Sequence, residues 1–308
     1  MGIIEEMKNK LISFKNSLKN WLAKYYFKKS IKNKKIKILD SQKTIDLIIE
    51  KQLSFIRFGD GELNIILDKN CNGISFQKNS EKLRSDLIEV FNFNLTNKKV
   101  LLCLPYFFTG NGLEELTPEA GGFWHYYVGS KIDALGAIIN PNLIYGNTQI
   151  TRPYIDLKNK KDCKHSFDSL KKLWNKKDVL IIEGELTRFG VDNDLLSNAT
   201  SINRIIVPSV NAYDLLPEIT NSALKHSSGK VILLSIGPAA KVLAMNLIEK
   251  GLTVYDVGHL DIEYEWFLRS AEKKIPIPNK YVNETKEKFI STAFNNQVYR
   301  SEIIEKIL

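Results

Sequence analysis

Cysteine is scarce in this 308-residue chain, and the three present (Cys71, Cys103, Cys163) form no C-x-x-C pair. That excludes a disulfide framework and gives no zinc-ligand spacing. No run reaches the length of about 18 apolar residues that a membrane-spanning helix needs. No secretory leader is legible either, so the cytoplasm is the expected compartment. No G-x-G-x-x-G follows an early strand, which disfavours a Rossmann dehydrogenase. Basic charge is missing from most of the chain as well. Residues 1–40 hold eleven lysines against Glu5, Glu6 and Asp40, which supplies eight of the nine net positive charges. The rest is near neutral, and a nucleic-acid-binding core would keep a basic face of its own.

What is present begins with an amphipathic segment. Ile4, Met7, Leu11, Phe14, Leu18, Trp21 and Tyr25 recur three and four apart, one face of a helix with lysines elsewhere. Such a helix can lie on an anionic membrane surface through residues 1–35, pair as a short coiled coil, or pack on its own domain. Lys28–Lys37 reads as a linker, giving a division into residues 1–39 and a domain over 40–308.

From residue 40 onward, short apolar runs alternate with helical periodicity. The runs are Ser54–Phe58, Val100–Leu104, Leu143–Tyr145, Val179–Ile182, Arg204–Val207, Val231–Ser235 and Thr253–Val257. Helices are predicted at about 41–51, 80–94, 165–174, 211–225, 238–250 and 261–272. The alternation predicts an α/β fold, a Rossmann-like, mostly parallel sheet with helices on both faces. Ligands in such sheets bind beyond the carboxyl ends of the strands.

Four strand ends carry chemistry. After Phe58 come Gly59, Asp60, Gly61 and Glu62. Acids two apart in a loose turn would face one side and could hold Mn²⁺ or Mg²⁺, with Arg57 beside a phosphate; a solvated acidic turn is the plainer reading. After Ile182, the stretch Glu183 to Asp194 crowds Glu185, Arg188, Asn193 and Asp194 into a candidate pocket wall or a capped loop. After Ser235, Gly237, Pro238 and Ala239 open a helix whose free amides could seat a diphosphate. After Val257, His259, Asp261, Glu263 and Glu265 fall within seven residues, with Asp261 and Glu265 sharing a helix face. His259 could ligate a metal or meet a phosphate, and Asp261 could equally be a helix cap.

RFGDGEL at 57–63, EGELTRFGVDNDLL at 183–196, IGPAAKVLA at 236–244 and VGHLDIEYEWFLR at 257–269 together resemble the bacterial GT-D type glycosyltransferases. The resemblance covers roughly residues 40–272. It implies a metal-dependent transfer of a hexose-type sugar from a UDP-sugar to a cell-surface polysaccharide or glycoprotein, with a lipid-linked glycan among the acceptors. That places the enzyme in the cytoplasm, at the inner face of the membrane if residues 1–35 bind there. Asp60 and Glu62 would then serve the metal and nucleotide-sugar site, with His259 as a further metal ligand. Arg57, Gly59, Arg188, Asn193, Asp194, Gly237, Pro238 and Ala239 would bind the donor. Glu185, Asp261 and Glu263 are candidates for a base that takes the acceptor proton. Trp124, Tyr126, Tyr127 and Trp266 could stack on sugars or simply pack. Glycine often stands in the family where this chain has Asp192, which predicts a different loop shape or donor preference there. The alternative reading is a nucleotide- or phosphate-binding module without transfer activity.

Overall fold

The structure, a computed structural model, describes residues 22, 24, 25, 27–29, 31 and 36–308 apart from 94, 95 and 293. Its centre is an eight-stranded sheet in which every pairing is parallel. In chain order the strands are β1 (Ser54–Arg57), β4 (Val100–Leu104), β5 (Gly146–Asn147), β6 (Asp178–Gly184), β7 (Ser201–Val207), β8 (Lys230–Ser235), β9 (Val254–Asp256) and β10 (Ile303–Lys306). Across the sheet they run β10-β7-β6-β8-β9-β1-β4-β5. A small antiparallel hairpin, β2 (Gly73–Ile74) and β3 (Gln77–Lys78), stands apart.

The continuous apolar runs follow from burial on both faces. Successive strand residues point to opposite sides, and here they divide between two cores. Ile56, Leu102, Leu180, Ile182, Ile232 and Leu234 join one. Phe55, Leu101, Val179, Ile181, Leu233 and Tyr255 join the other. The first core is covered by α2 (Asp60–Leu67), α3 (Glu81–Phe93), α4 (Pro118–Ile138), α6 (Leu216–His226) and α7 (Ala239–Glu249). The second is covered by α1 (Ser41–Lys51), α5 (Cys163–Lys171) and α8 (Leu260–Leu268). Trp174 and Trp266 are fully enclosed there, with each indole N–H on a main-chain carbonyl. Burying a large apolar side chain contributes about 1.5–3 kcal/mol, so these rings fix how α5 and α8 sit. Trp266 is thereby a packing residue.

Four local expectations change. Asp60–Gly61–Glu62 is the first turn of α2 and not a loose turn, so its two acids point different ways around a helix. Helix α4, 21 residues long and absent from the periodicity reading, begins with Thr117 capping Ala120 N–H and Pro118 in the first turn. The strand expected at Leu143–Tyr145 starts at Gly146, while Tyr145 makes a single bridge to Ile38. The segment expected as a linker packs where it is described. Within it Ile31 lies against Gly110 and Ile36 is buried, and at its two ends Phe27 is buried edge-on against His125 and Ile38 is buried. These apolar side chains reach the core despite the lysines around them. The expected amphipathic face from Ile4 to Trp21 lies outside the described residues. No helix among the described residues is long and apolar enough to cross a membrane.

After α8 the chain runs without regular structure from Arg269 to α9 (Gln297–Glu302), which leads into β10. Ile277 and Val282 bury themselves in the second core and Lys280 is buried beside them. The stretch thereby lies over the carboxyl edge of the sheet and supplies Lys274, Tyr281 and Glu284 to the cavity there.

Candidate active site

The carboxyl edge holds a cavity of about 1030 Å³. Its walls come from the loops after β1, β6, β7, β8 and β9, from the β2–β3 hairpin, from the start of α4 and from the segment after α8.

Asp60 and Glu62 both line it but do different things. Glu62 turns back, so Oε2 accepts the Gly59 N–H at 3.0 Å, and Oε1 pairs with Lys241 Nζ at 2.9 Å. Asp60 is half-buried and meets no cation at ion-pair distance among the described residues; burial and the nearby Glu62 charge raise its pKa. A carboxylate with no ion pair among the described residues is the kind of oxygen a divalent cation seeks. Its main-chain carbonyl accepts the Tyr127 hydroxyl at 2.9 Å, which ties α2 to α4. Among the described residues no three His, Cys, Asp or Glu side chains gather as a metal cage. His259 lines the cavity, but with Glu284 at 3.5 Å rather than with Asp60 and Glu62. Burial pushes its pKa down to about 4, with the Arg152 and Lys274 charges adding to the effect against Glu284, so the ring is neutral at pH 7.

Arg57 lines the cavity yet is already engaged. Its backbone N–H donates to Asp256 Oδ2 at 3.0 Å and its Nε to the Asp256 carbonyl at 2.5 Å. Asp256 Oδ2 also pairs with Lys241 at 3.1 Å. A buried chain Arg57–Asp256–Lys241–Glu62 therefore underlies the motif. Each charge has a partner, which is what allows such groups to be buried.

The three expected base candidates stand apart from one another. Glu185 is exposed and does not line the cavity. Glu263 is fully buried behind the wall, where Oε2 accepts the Tyr154 and Ile155 N–H groups at 3.0 Å each. Burial raises its pKa to about 7 against the pull of Arg152. Asp261 lines the cavity but accepts from Lys280, Asn193 and the Gly190 N–H. Burial raises its pKa although Lys280 opposes this. Lys280 also pairs with Glu265 at 2.9 Å, so one buried lysine joins two acids of α8.

Of the expected donor residues, Gly59 and Gly237 line the cavity, and Pro238 and Ala239 are buried at the start of α7. Gly237 has φ 62, and a Cβ there would come within 2.4 Å of the Phe76 ring, so glycine is required. Three others lie off the cavity. Arg188 stacks on Phe294 and donates to the Asn279 carbonyl. Asn193 bridges Asp261 and Glu265. Asp194 is exposed and holds Lys171 and Tyr264. Asp192 sits at φ 60, the left-handed region glycine favours, with its carboxylate accepting from Asn296.

Sequence reading missed a second charged cluster. Arg152 makes a bidentate pair with Glu284 at 2.7 and 3.0 Å and reaches Asp156 and Glu263 at 3.5 Å. Lys274 adds to Glu284 at 2.6 Å. Burial works against the Glu284 charge, yet Arg152, His259 and Lys274 outweigh it and hold its pKa well below the carboxylate range. No local motif signals this cluster, because its members come from the segment after β5, from α8 and from the segment after α8.

The comparisons with known proteins agree with this architecture. Residues 55–285 match the family model described as the glycosyltransferase GT-D fold. The chain is 38% identical over 275 residues to the probable glycosyl transferase Gly of Streptococcus gordonii, covering 89% of this chain and 39% of that protein. It is 35% identical over 273 residues to glycosyltransferase GlyD of Streptococcus pneumoniae serotype 4, covering 89% of this chain and 33% of that protein. The chain thus spans well under half the length of these curated relatives. A solved structure of the domain of unknown function 1792, described as a distinct glycosyltransferase fold, superposes with a TM-score of 0.83 at 33% identity. That match covers 92% of this chain and 98% of the other. A further structure, a glycosyltransferase of the same domain type from Streptococcus sanguinis, gives 0.82 at 35% identity, covering 89% and 100%. A structural match over 92% of the chain at this identity, together with a family model spanning residues 55–285, leaves one assignment: the chain belongs to the GT-D glycosyltransferase family.

Proposed function

We propose that this chain binds a UDP-sugar in the cavity and transfers its hexose-type sugar to a growing bacterial glycan, a cell-surface polysaccharide or glycoprotein. The observation that carries the reading is Asp60, a half-buried acid without a cation partner among the described residues, in the lining of a cavity large enough for a nucleotide sugar. Mn²⁺ or Mg²⁺ fits this donor set in the manner of ions held by one or two carboxylates and otherwise by phosphate oxygens and water. Asp60 would hold it, with Glu62 turned toward Lys241 behind. When bound, such an ion supplies Lewis-acid stabilisation to the leaving diphosphate.

The chain's own residues do the remaining work. A diphosphate would sit at the start of α7, where no side chain caps the helix and the positive end of its dipole favours an anion. Lys241 and the Arg57–Asp256 pair keep Glu62 and the first turn of α2 in place. Neutral His259 brings a polar edge without adding charge. No expected base is both free and cavity-lining, so the proposed chemistry relies on stabilising the departing diphosphate.

Lipid-linked acceptors and contact with anionic membrane belong to the same proposal. They are supported by the eleven lysines within residues 1–40. Flotation with anionic liposomes, with and without residues 1–35, tests that part; equal binding by both forms would remove it. The transfer reading is tested by UDP release from a panel of UDP-sugars with Mn²⁺ and with EDTA. Metal-dependent release from one donor supports it. Binding of UDP without release from any donor would favour the non-catalytic module.

A further inference from the structure

The two flanks of the cavity differ in character. Strand order places β1, and so Asp60, between them. On one side lie Gly184, Ser209, Gly237 and Phe76, from the loops after β6, β7 and β8 and from the hairpin. This is the flank where the dipole at the start of α7 suits a diphosphate. On the other side α4 presents Phe123 and Trp124.

Phe123 is the unusual member. It lines the cavity, is 47% exposed, and yet is held firmly from behind. Its ring stacks on Tyr127 with centroids 5.7 Å apart and planes 18° apart, and meets Trp124 edge-on at 5.2 Å. Tyr127 in turn donates its hydroxyl to the Asp60 carbonyl. A rigid aromatic surface is therefore anchored to the residue at the centre of the site. Gln149, Arg152, Asp156 and Glu284 line the same flank and carry hydrogen-bonding groups.

A pyranose has one face of C–H groups and a rim of hydroxyls. The C–H face matches the electron-rich face of an aromatic ring, and the rim matches polar groups around it. We propose that Phe123, backed by Trp124 and Tyr127, is the platform on which a pyranose ring of the acceptor glycan stacks. This rests on the transferase reading and gives it an acceptor side. The polar groups on this flank orient the hydroxyls, and Asp60 lies between the two substrates.

The test is saturation-transfer NMR on the full chain with methyl α- and β-glycosides of glucose, galactose and N-acetylglucosamine, and separately with UMP. Wild type should saturate the C–H protons of at least one glycoside. Phe123→Ala should weaken that binding by about tenfold, as loss of one stacking contact implies, while UMP binding stays within twofold. Phe123→Trp should restore the glycoside signal. The platform is overturned if no glycoside binds, if Phe123→Ala binds it as wild type does, or if UMP is what Phe123→Ala loses. Donor turnover separates the two ideas. Glycoside binding through Phe123 without any UDP release would sink the transferase reading alone. UDP release with glycoside binding indifferent to Phe123 would sink the platform alone.

Discussion

Lys241 stands between two buried acids, 2.9 Å from Glu62 and 3.1 Å from Asp256, and is itself 4% exposed. It joins the helix start that carries the Asp-x-Glu motif to the end of β9, almost 200 residues away in the chain. Removing one partner of a buried ionic set leaves uncompensated charge, at a cost of about 3–5 kcal/mol. Lys241→Met should therefore lower the melting temperature markedly and loosen Glu62. Calorimetry beside a Lys241→Arg control checks this; a melting temperature equal to wild type would refute the account of the network.

The next prediction concerns Gly258, which has φ 49 and packs directly on the Arg57 guanidinium. A Cβ there would fall within 1.9 Å of an Arg57 terminal nitrogen. Gly258→Ala should displace Arg57 from Asp256 and strain the turn, costing on the order of 2 kcal/mol or more. Urea unfolding would measure it. A loss below about 0.5 kcal/mol, the usual surface scale, would mean the turn adapts freely.

Lys280 offers an independent comparison away from the motif. It is 3% exposed and pairs with Asp261 at 2.8 Å and Glu265 at 2.9 Å. It anchors the segment after α8 that carries Glu284 into the cavity. Lys280→Met should cost about 3–5 kcal/mol by the same reasoning, and should raise proteolytic cleavage between residues 270 and 292. Cleavage at the wild-type rate would show that the segment is held by other contacts.

A pH dependence follows from Glu263, whose folded-state pKa is raised from 4.5 to about 7. Between those values the native state binds more protons than the unfolded one, so stability falls as pH rises through the window. The full shift is worth on the order of 3 kcal/mol. Glu263→Gln keeps an oxygen for the Tyr154 and Ile155 amides but does not titrate. The variant should gain on wild type between pH 4.5 and 7, read as the difference in melting temperature across pH. A flat difference would contradict the assignment.

Much of this was legible in the chain. The apolar runs of β1, β4, β6, β8 and β9 announced a parallel sheet, because both faces of each strand are buried. Their glycine- and acid-bearing ends identified four of the loops that line the cavity. Helix α4 escaped because Gly121 and Gly122 interrupt its start and Trp124, Tyr126 and Tyr127 blur its period. Thr117 followed by Pro118 was the signal that could have revealed it. The charged network escaped for another reason. Arg57 and Asp256, or Arg152 and Glu284, meet only through the fold, and no local pattern tells a buried lysine such as Lys241 from a solvated one. Arg188, Asn193 and Asp194 looked like donor ligands because they are polar and beside a strand end; the fold spends them on Phe294, Glu265 and Lys171.

The most direct measurement is UDP release, with Mn²⁺ and the best UDP-sugar, by wild type and by Asp60→Asn, with melting temperatures taken in parallel. The account predicts at least about a hundredfold loss of rate in the variant, the scale of removing one stabilising group from a reacting centre. It also predicts that the variant melts no lower than wild type, because Asp60 has no ion pair to lose among the described residues and burial disfavours its charge. Wild-type rates of UDP release in Asp60→Asn would contradict the central role given to that carboxylate.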